Sequence, residues 1–143
     1  MFVQKQTEIE IPTRGKGLVE VTGPISRWVD GQRITLGQLT IFIRHTSASL
    51  VIQENADGDV QRDLEYFFSK LVRDDDPGFL HTTEGPDDMP AHVRSALTQT
   101  TLTIPVANGK PVLGTWQGIY VYEHRTRPHS RRLTLHLIGE QTT

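Results

Sequence analysis

The chain has 143 residues, 15 Lys and Arg against 17 Asp and Glu, a net charge of −2 and an isoelectric point near 6.3. That length fits one domain, 1–143, with a core that needs no staples, and the charge argues against nucleic-acid or anionic-membrane binding. The absence of cysteine excludes disulfides, a thiolate nucleophile and any Cys-ligated metal, so a metal falls to His, Asp or Glu.

The opening MFVQKQTEIE alternates polar and apolar residues. It reads as a strand over 2–11 with one wet face, not as a leader or a membrane span, and a cytoplasmic protein is expected. TRGKG (13–17) reads as a turn, 18–22 as a short strand and 24–30 as one or two helical turns. A strand over 39–45 is followed, after TSAS, by another over 50–54. Val60, Leu64, Phe67, Phe68 and Leu71 then form one apolar stripe at helical spacing, with Asn55 or Asp57 as N-cap and DDDPG (74–78) as the stop. A short helix is expected to begin near Pro90, a first-turn position that tolerates the missing N–H. Strands follow at about 99–106, 111–114, 118–125 and 131–139, with hairpin chemistry at Asn108-Gly109. The pattern is an α+β, mainly β class: a sandwich-like domain of short antiparallel strands with two or three inserted helices.

Strand parity sends three apolar rows into ionisable residues. Leu39, Ile41 and Ile43 lead to His45, Leu50 and Ile52 to Glu54, and Ile119 and Val121 to Glu123. Such ends suit a site at the rim of a sandwich, although any one of them could be a strand leaving the core for water. His136 shares its face with Arg132 and Thr134, opposite three leucines, and reads as a surface residue.

HTTEGPDDMPAH (81–92) adds two histidines, three carboxylates, two prolines and a glycine in one loop. Neutral imidazole is the commonest protein metal ligand, so His45, His81 and His92 are expected to converge, with Glu84, Asp87 and Asp88 orienting their rings. The eleven-residue interval between His81 and His92 is not diagnostic, and a metal-free acid–base cluster would use the same residues. GTWQG (114–118) reads as a tight turn whose Trp116 plugs the end of the sandwich, leaving the Gln117 amide free for a ligand. HRTRPHSRR (124–132) holds four arginines in nine residues. A solvated basic hairpin is the plain reading; Arg125 or Arg131 meeting a phosphorylated small molecule is the functional one.

Together HTSASLVIQEN, HTTEGPDDMPAH, LTIPV, GTWQGIY and EHR…SRR closely resemble the YjbQ-like family of secondary thiamine-phosphate synthases, over about Lys5 to Glu140. The resemblance implies a β-rich α+β homotrimer with sites near subunit boundaries. It also implies a weak activity that joins hydroxymethylpyrimidine pyrophosphate to thiazole phosphate. On this resemblance His45, His81 and His92 hold a divalent metal, expected to be zinc, with magnesium conceivable alongside pyrophosphate. Glu54, Asp88 and Gln117 are the catalytic positions, and Ser47, Ser49, Asn55, Glu123, Arg125 and Arg131 are expected to bind substrate. Two alternatives remain open: a zinc hydrolase with Glu54 as base, and a non-catalytic metal- or metabolite-binding module.

Overall fold

The computed structural model describes residues 1–142. Its elements run β1 (Phe2–Thr13), β2 (Gly17–Glu20), α1 (Thr22–Gly31), β3 (Ile34–Ile43), β4 (Ala48–Glu54), α2 (Gly58–Leu71), α3 (Asp88–Leu97), β5 (Thr101–Ala107), β6 (Lys110–Pro111), β7 (Gln117–Glu123) and β8 (His129–Gln141). Antiparallel pairing gives a five-stranded sheet, β1-β8-β3-β5-β6, and a three-stranded sheet, β2-β7-β4. The expected mainly β α+β class is what the chain adopts. None of the described helices is long and apolar enough to cross a membrane.

Alternation decides which side of each strand enters the core. Leu39, Ile41 and Ile43 of β3, Leu133, Leu135 and Leu137 of β8, and Leu102, Ile104 and Val106 of β5 face Ile119 and Val121 of β7 and Leu50 of β4 in one buried cluster. Ile25 and Val29 of α1 close its side. The opposite face of the three-stranded sheet lies beneath α2. There Phe68 meets Tyr122 edge-on at 5.6 Å, Glu65 accepts from the Tyr122 hydroxyl, and Gln61 donates to the Tyr120 oxygen. Asp57 caps α2 by accepting from the Asp59 N–H at 2.9 Å.

Two expectations shift. β3 starts at Ile34, earlier than 39, and stops at Ile43, so His45 sits in the following turn. The missed half contains Gly37, paired with Gly139, where a Cβ would fall 2.3 Å from the Ile138 carbonyl oxygen. A close backbone approach, not a hydrophobic pattern, selects that residue. The second shift is at α3, which starts at Asp88 and carries Pro90 as its third residue. Asp88 and His92 therefore stand four apart on one helical face, whereas the later start had put His92 in the first turn.

Candidate metal centre

The parity rows locate one end of the sandwich. Glu123 of β7, Arg131 of β8 and Thr13 of β1 all point between the two sheets there, beyond the last apolar layer. Glu123 is completely buried. It accepts from Thr13 Oγ1, from the Arg131 guanidinium and from the His124 and Arg125 backbone N–H groups, each at 3.1 Å. Burial alone would raise its pKa, but the Arg131 and Thr13 hydrogen bonds bring it below the usual carboxylate range. Arg131 spends its remaining reach on the Ser47 carbonyl, at 3.2 Å. Glu123 and Arg131, expected to touch substrate, are instead a saturated ion pair that pins the two sheets together.

His45 caps this pair. Its Nε2 accepts from the Arg132 backbone N–H at 2.7 Å, and its Nδ1 lies 3.5 Å from the Arg131 guanidinium. Partial burial and then the two arginines lower its pKa. With Nε2 committed to a backbone donor, His45 does not join the other two histidines, and the expected three-ring convergence is corrected to two.

Those two do converge. His81 from the loop and His92 from α3 have ring centroids 5.4 Å apart. Asp88 Oδ2 lies between them, 2.7 Å from His81 Nε2 and 3.1 Å from His92 Nε2, while Glu84 Oε2 is 3.3 Å from His81 Nε2. One donor atom from each of His81, Glu84, Asp88 and His92 falls within 4.8 Å of all the others. Every partner behind this set is fixed. Arg125 Nη1 donates to Asp88 Oδ1 at 2.8 Å, its Nε to Asp87 at 2.9 Å and its Nη2 to the Glu84 carbonyl at 3.0 Å. Burial would raise Asp87, yet the Thr126 N–H and the Arg125 guanidinium hold it down to about 2. Asp88 is lowered likewise: burial opposes, while hydrogen bonding to Glu84 and His81 and the charges of His92 and Arg125 prevail. Arg125, expected on a phosphate, is thus a buried clamp that aims two aspartates.

The donor set fits a metal ion. His92 Nδ1 lies 2.9 Å from the Thr46 backbone carbonyl, which can only accept, so Nδ1 carries the proton. In a neutral ring Nε2 is then a lone pair facing the Asp88 carboxylate, an arrangement that requires an imidazolium or a cation between the two. Ligand bonds of about 2.0–2.1 Å in tetrahedral geometry separate neighbouring donors by about 3.3 Å. The observed 3.3 and 3.1 Å are close to that, the 2.7 Å between His81 and Asp88 is a hydrogen-bond distance, and all four donors lie within 4.8 Å of one another. Two imidazoles with carboxylates suit zinc better than magnesium.

The remaining expected residues divide. Ser47 lies beside Thr46 and engages Arg131 through its backbone oxygen. Ser49 is fully buried, 2.8 Å from His124 Nε2, and accepts from Thr98, so no substrate reaches it directly. Glu54, Asn55 and Gln117 sit at the far end of the β4–β7 ladder, where Glu54 pairs with Gln117 while Ala48 pairs with Glu123 at the near end. Six residues at about 3.3 Å each put roughly 20 Å between those ends. Glu54 therefore cannot act as base beside His81 within one chain. The Asn55 side chain donates to Glu20 at 3.4 Å and its backbone N–H to the Trp116 carbonyl at 3.0 Å, and Gln117 Oε1 accepts from the Gly114 N–H at 2.7 Å, closing its own turn. Trp116 is 61% exposed and plugs nothing. His136 does face outward, between Gln4 and Gln6. The Asp88–His92 pair at i, i+4 was in the sequence all along, but only a helix start two residues earlier makes it a pair.

A family model described as UPF0047 protein YjbQ-like matches residues 7–140. UPF0047 protein sll1880 of Synechocystis is 51% identical over 97% of this chain and 95% of its own length. UPF0047 protein YjbQ of Escherichia coli O157:H7 is 40% identical over 98% of this chain and all of its own. Among solved structures, a YjbQ/UPF0047 protein of Clostridium acetobutylicum superposes with TM-score 0.81 at 31% identity, covering 90% of this chain and 97% of that one. Hypothetical protein APE1520 of Aeropyrum pernix gives 0.85 at 25% identity, covering 95% and 99%.

Proposed function

The chain belongs to the YjbQ-like UPF0047 family, and from that premise we propose that it is a cytoplasmic metal-dependent enzyme whose ion is held by His81, His92 and Asp88, with Glu84 at the rim. The reaction we assign is a low-turnover thiamine-phosphate synthase coupling. In it the bond between the hydroxymethylpyrimidine methylene carbon and pyrophosphate breaks, the electron pair leaves with pyrophosphate, and the thiazole nitrogen lone pair forms the new C–N bond. A bound divalent ion would stabilise the departing negative charge. The chain's own part is orientation: Thr46 sets the His92 tautomer, and Arg125 holds both Asp88 and the Glu84 backbone in place.

The observation that carries this reading is the lone pair of His92 Nε2 facing Asp88 Oδ2 at 3.1 Å. It supports a cation at that point; the synthase step rests on the family resemblance. A zinc hydrolase is the second reading, favoured by the donor set itself, since two imidazoles and a carboxylate with an open position generate a nucleophilic metal-bound water elsewhere. Glu84 would then replace Glu54 as the nearby base. We also propose the homotrimer. Tyr66, Phe67 and Leu71 of α2 are each more than half exposed in the single chain, and a site composed between copies would bring the far-end residues of one chain toward the metal of another.

The test measures zinc content and pyrophosphate release in wild type and in His81→Ala. Loss of both together is expected. Full turnover in a protein stripped of metal would remove the ion from the reaction, and hydrolysis without coupling would favour the second reading.

A further inference from the structure

Among the described residues, the buried side-chain atoms without a hydrogen-bond partner are Asp74 Oδ1, Arg94 Nε, Ser95 Oγ and His124 Nδ1. Two of them face one cavity: Asp74 and Arg94 share its wall, and Lys16 donates to the other Asp74 oxygen, Oδ2, at 2.7 Å. Native structures satisfy nearly all such atoms, so a buried guanidinium N–H and a carboxylate oxygen both left open in one wall call for an occupant.

A cavity of about 330 Å³ opens there, with Arg94, Lys16, Arg73, Asp74 and Asp75 in its wall. Arg94 is only 2% exposed. Its single hydrogen bond runs from Nη2 to the Val72 carbonyl at 3.0 Å, and Glu65 at 3.8 Å from Nη1 is too distant to accept. Asp75 is held by Arg73 through both of its oxygens. The count of free groups decides the ligand class. Arg94 keeps most of its five donors and Lys16 two of its three, against one free carboxylate oxygen on Asp74. A donor-rich pocket takes an acceptor-rich group.

We propose that this cavity is a second ligand subsite, for an oxyanion of the phosphate class, with Arg94 as its floor and Lys16 as its closing cation. A phosphate monoester monoanion matches the mixed wall, its P–O⁻ oxygens accepting from Arg94 and Lys16 and its P–OH donating to Asp74 Oδ1. Asp74 and Asp75 also line the adjoining cavity of about 320 Å³ that contains His81. The two sites are therefore neighbours across one segment, as a pair of phosphorylated reactants would require. This role rests on the reading that the substrates are phosphorylated; the binding itself does not depend on the metal.

Inorganic phosphate titrated into metal-free full-length protein at constant ionic strength, followed by backbone amide NMR shifts, tests it. Saturable shifts at Lys16, Asp74 and Arg94 are expected. Affinity should be about tenfold weaker in Lys16→Met, the value of one charge-assisted hydrogen bond, and unchanged in His81→Ala. Arg94→Lys, if it folds, should weaken binding at least as much; Lys16 is partly exposed, and its variant carries the test alone if Arg94→Lys does not fold. Shifts that never saturate, shifts centred on His81 and His92, or equal affinity in Lys16→Met would each overturn the proposal. Loss of metal binding in His81→Ala with phosphate binding intact would leave this subsite standing whatever becomes of the metal reading.

Discussion

Glu123 and Asp88 are both buried carboxylates next to arginine, yet their surroundings differ in kind. Every lone pair of Glu123 meets a fixed donor: a hydroxyl, a guanidinium and two backbone N–H groups. Asp88 is satisfied on one oxygen by Arg125 and presents the other to two imidazoles, one of which has already given its proton to a carbonyl. Saturation marks the first as structural, whereas Asp88 Oδ2, which accepts from His81 but also faces the His92 Nε2 lone pair, marks the second as a candidate binding group. Charge and burial alone do not separate them.

The largest effect should come from breaking the saturated cluster. Glu123→Gln leaves the Arg131 guanidinium buried without its counter-ion, a loss of about 3–5 kcal/mol, large against the stability of a domain this size. Asp88→Asn should remain within about 1 kcal/mol of wild type in urea denaturation and weaken zinc binding by more than the roughly 10–100-fold seen when a group behind a ligand is removed. Urea midpoints and zinc titration on both variants check the contrast. An Asp88→Asn as unstable as Glu123→Gln would make Asp88 structural as well.

A smaller effect separates the same regions by pH. Burial first, and then the charge of Arg94, lowers the His124 pKa to about 3 from the usual 6.5. Between those values the unfolded chain binds a proton that the folded one refuses, so stability is present above pH 6.5 and is lost as pH falls, by about 1.4 kcal/mol per unit. His81 acts in the other direction: hydrogen bonding to Asp88 raises its pKa, adding stability below pH 6.5 that disappears as pH rises through the raised value. In His124→Phe the loss of stability between pH 6.5 and 4 should flatten, read from urea midpoints. An unchanged slope would mean that His124 is protonated in the folded protein.

What the sequence disclosed follows the range of the interactions. Period-two alternation in β1 and the helical stripe of α2 are local, and both elements form within two residues of their expected bounds. The density of ionisable groups in 81–92 pointed to the cluster that His81, Glu84, Asp88 and His92 form. Its membership was not readable, because it depends on where α3 begins and on Thr46 and Arg125, which are 46 and 37 residues away from their partners. The arginines misled for a related reason: a sequence shows charge, whereas only the fold shows that Glu123, Asp87 and Asp88 have already claimed it.

The smallest expected change tests whether the far end of the β4–β7 ladder belongs to the chemistry at all. Gln117 Oε1 accepts from the Gly114 N–H in an exposed turn, so Gln117→Ala removes one solvent-accessible hydrogen bond, worth about 0.5–1.5 kcal/mol. Zinc affinity should stay within twofold, since roughly 20 Å of sheet separates this turn from the Glu123 end of the ladder, beside which Arg125 holds Asp88. Turnover is the discriminating quantity. A site contained in one chain predicts turnover as insensitive as zinc affinity. A site shared between copies predicts that pyrophosphate release falls while zinc affinity and assembly state hold, because the amide of one chain would then serve the metal of its neighbour. Measuring the two side by side assigns the GTWQG turn to the fold or to the reaction, and the Asp88 region supplies the scale against which either answer is read.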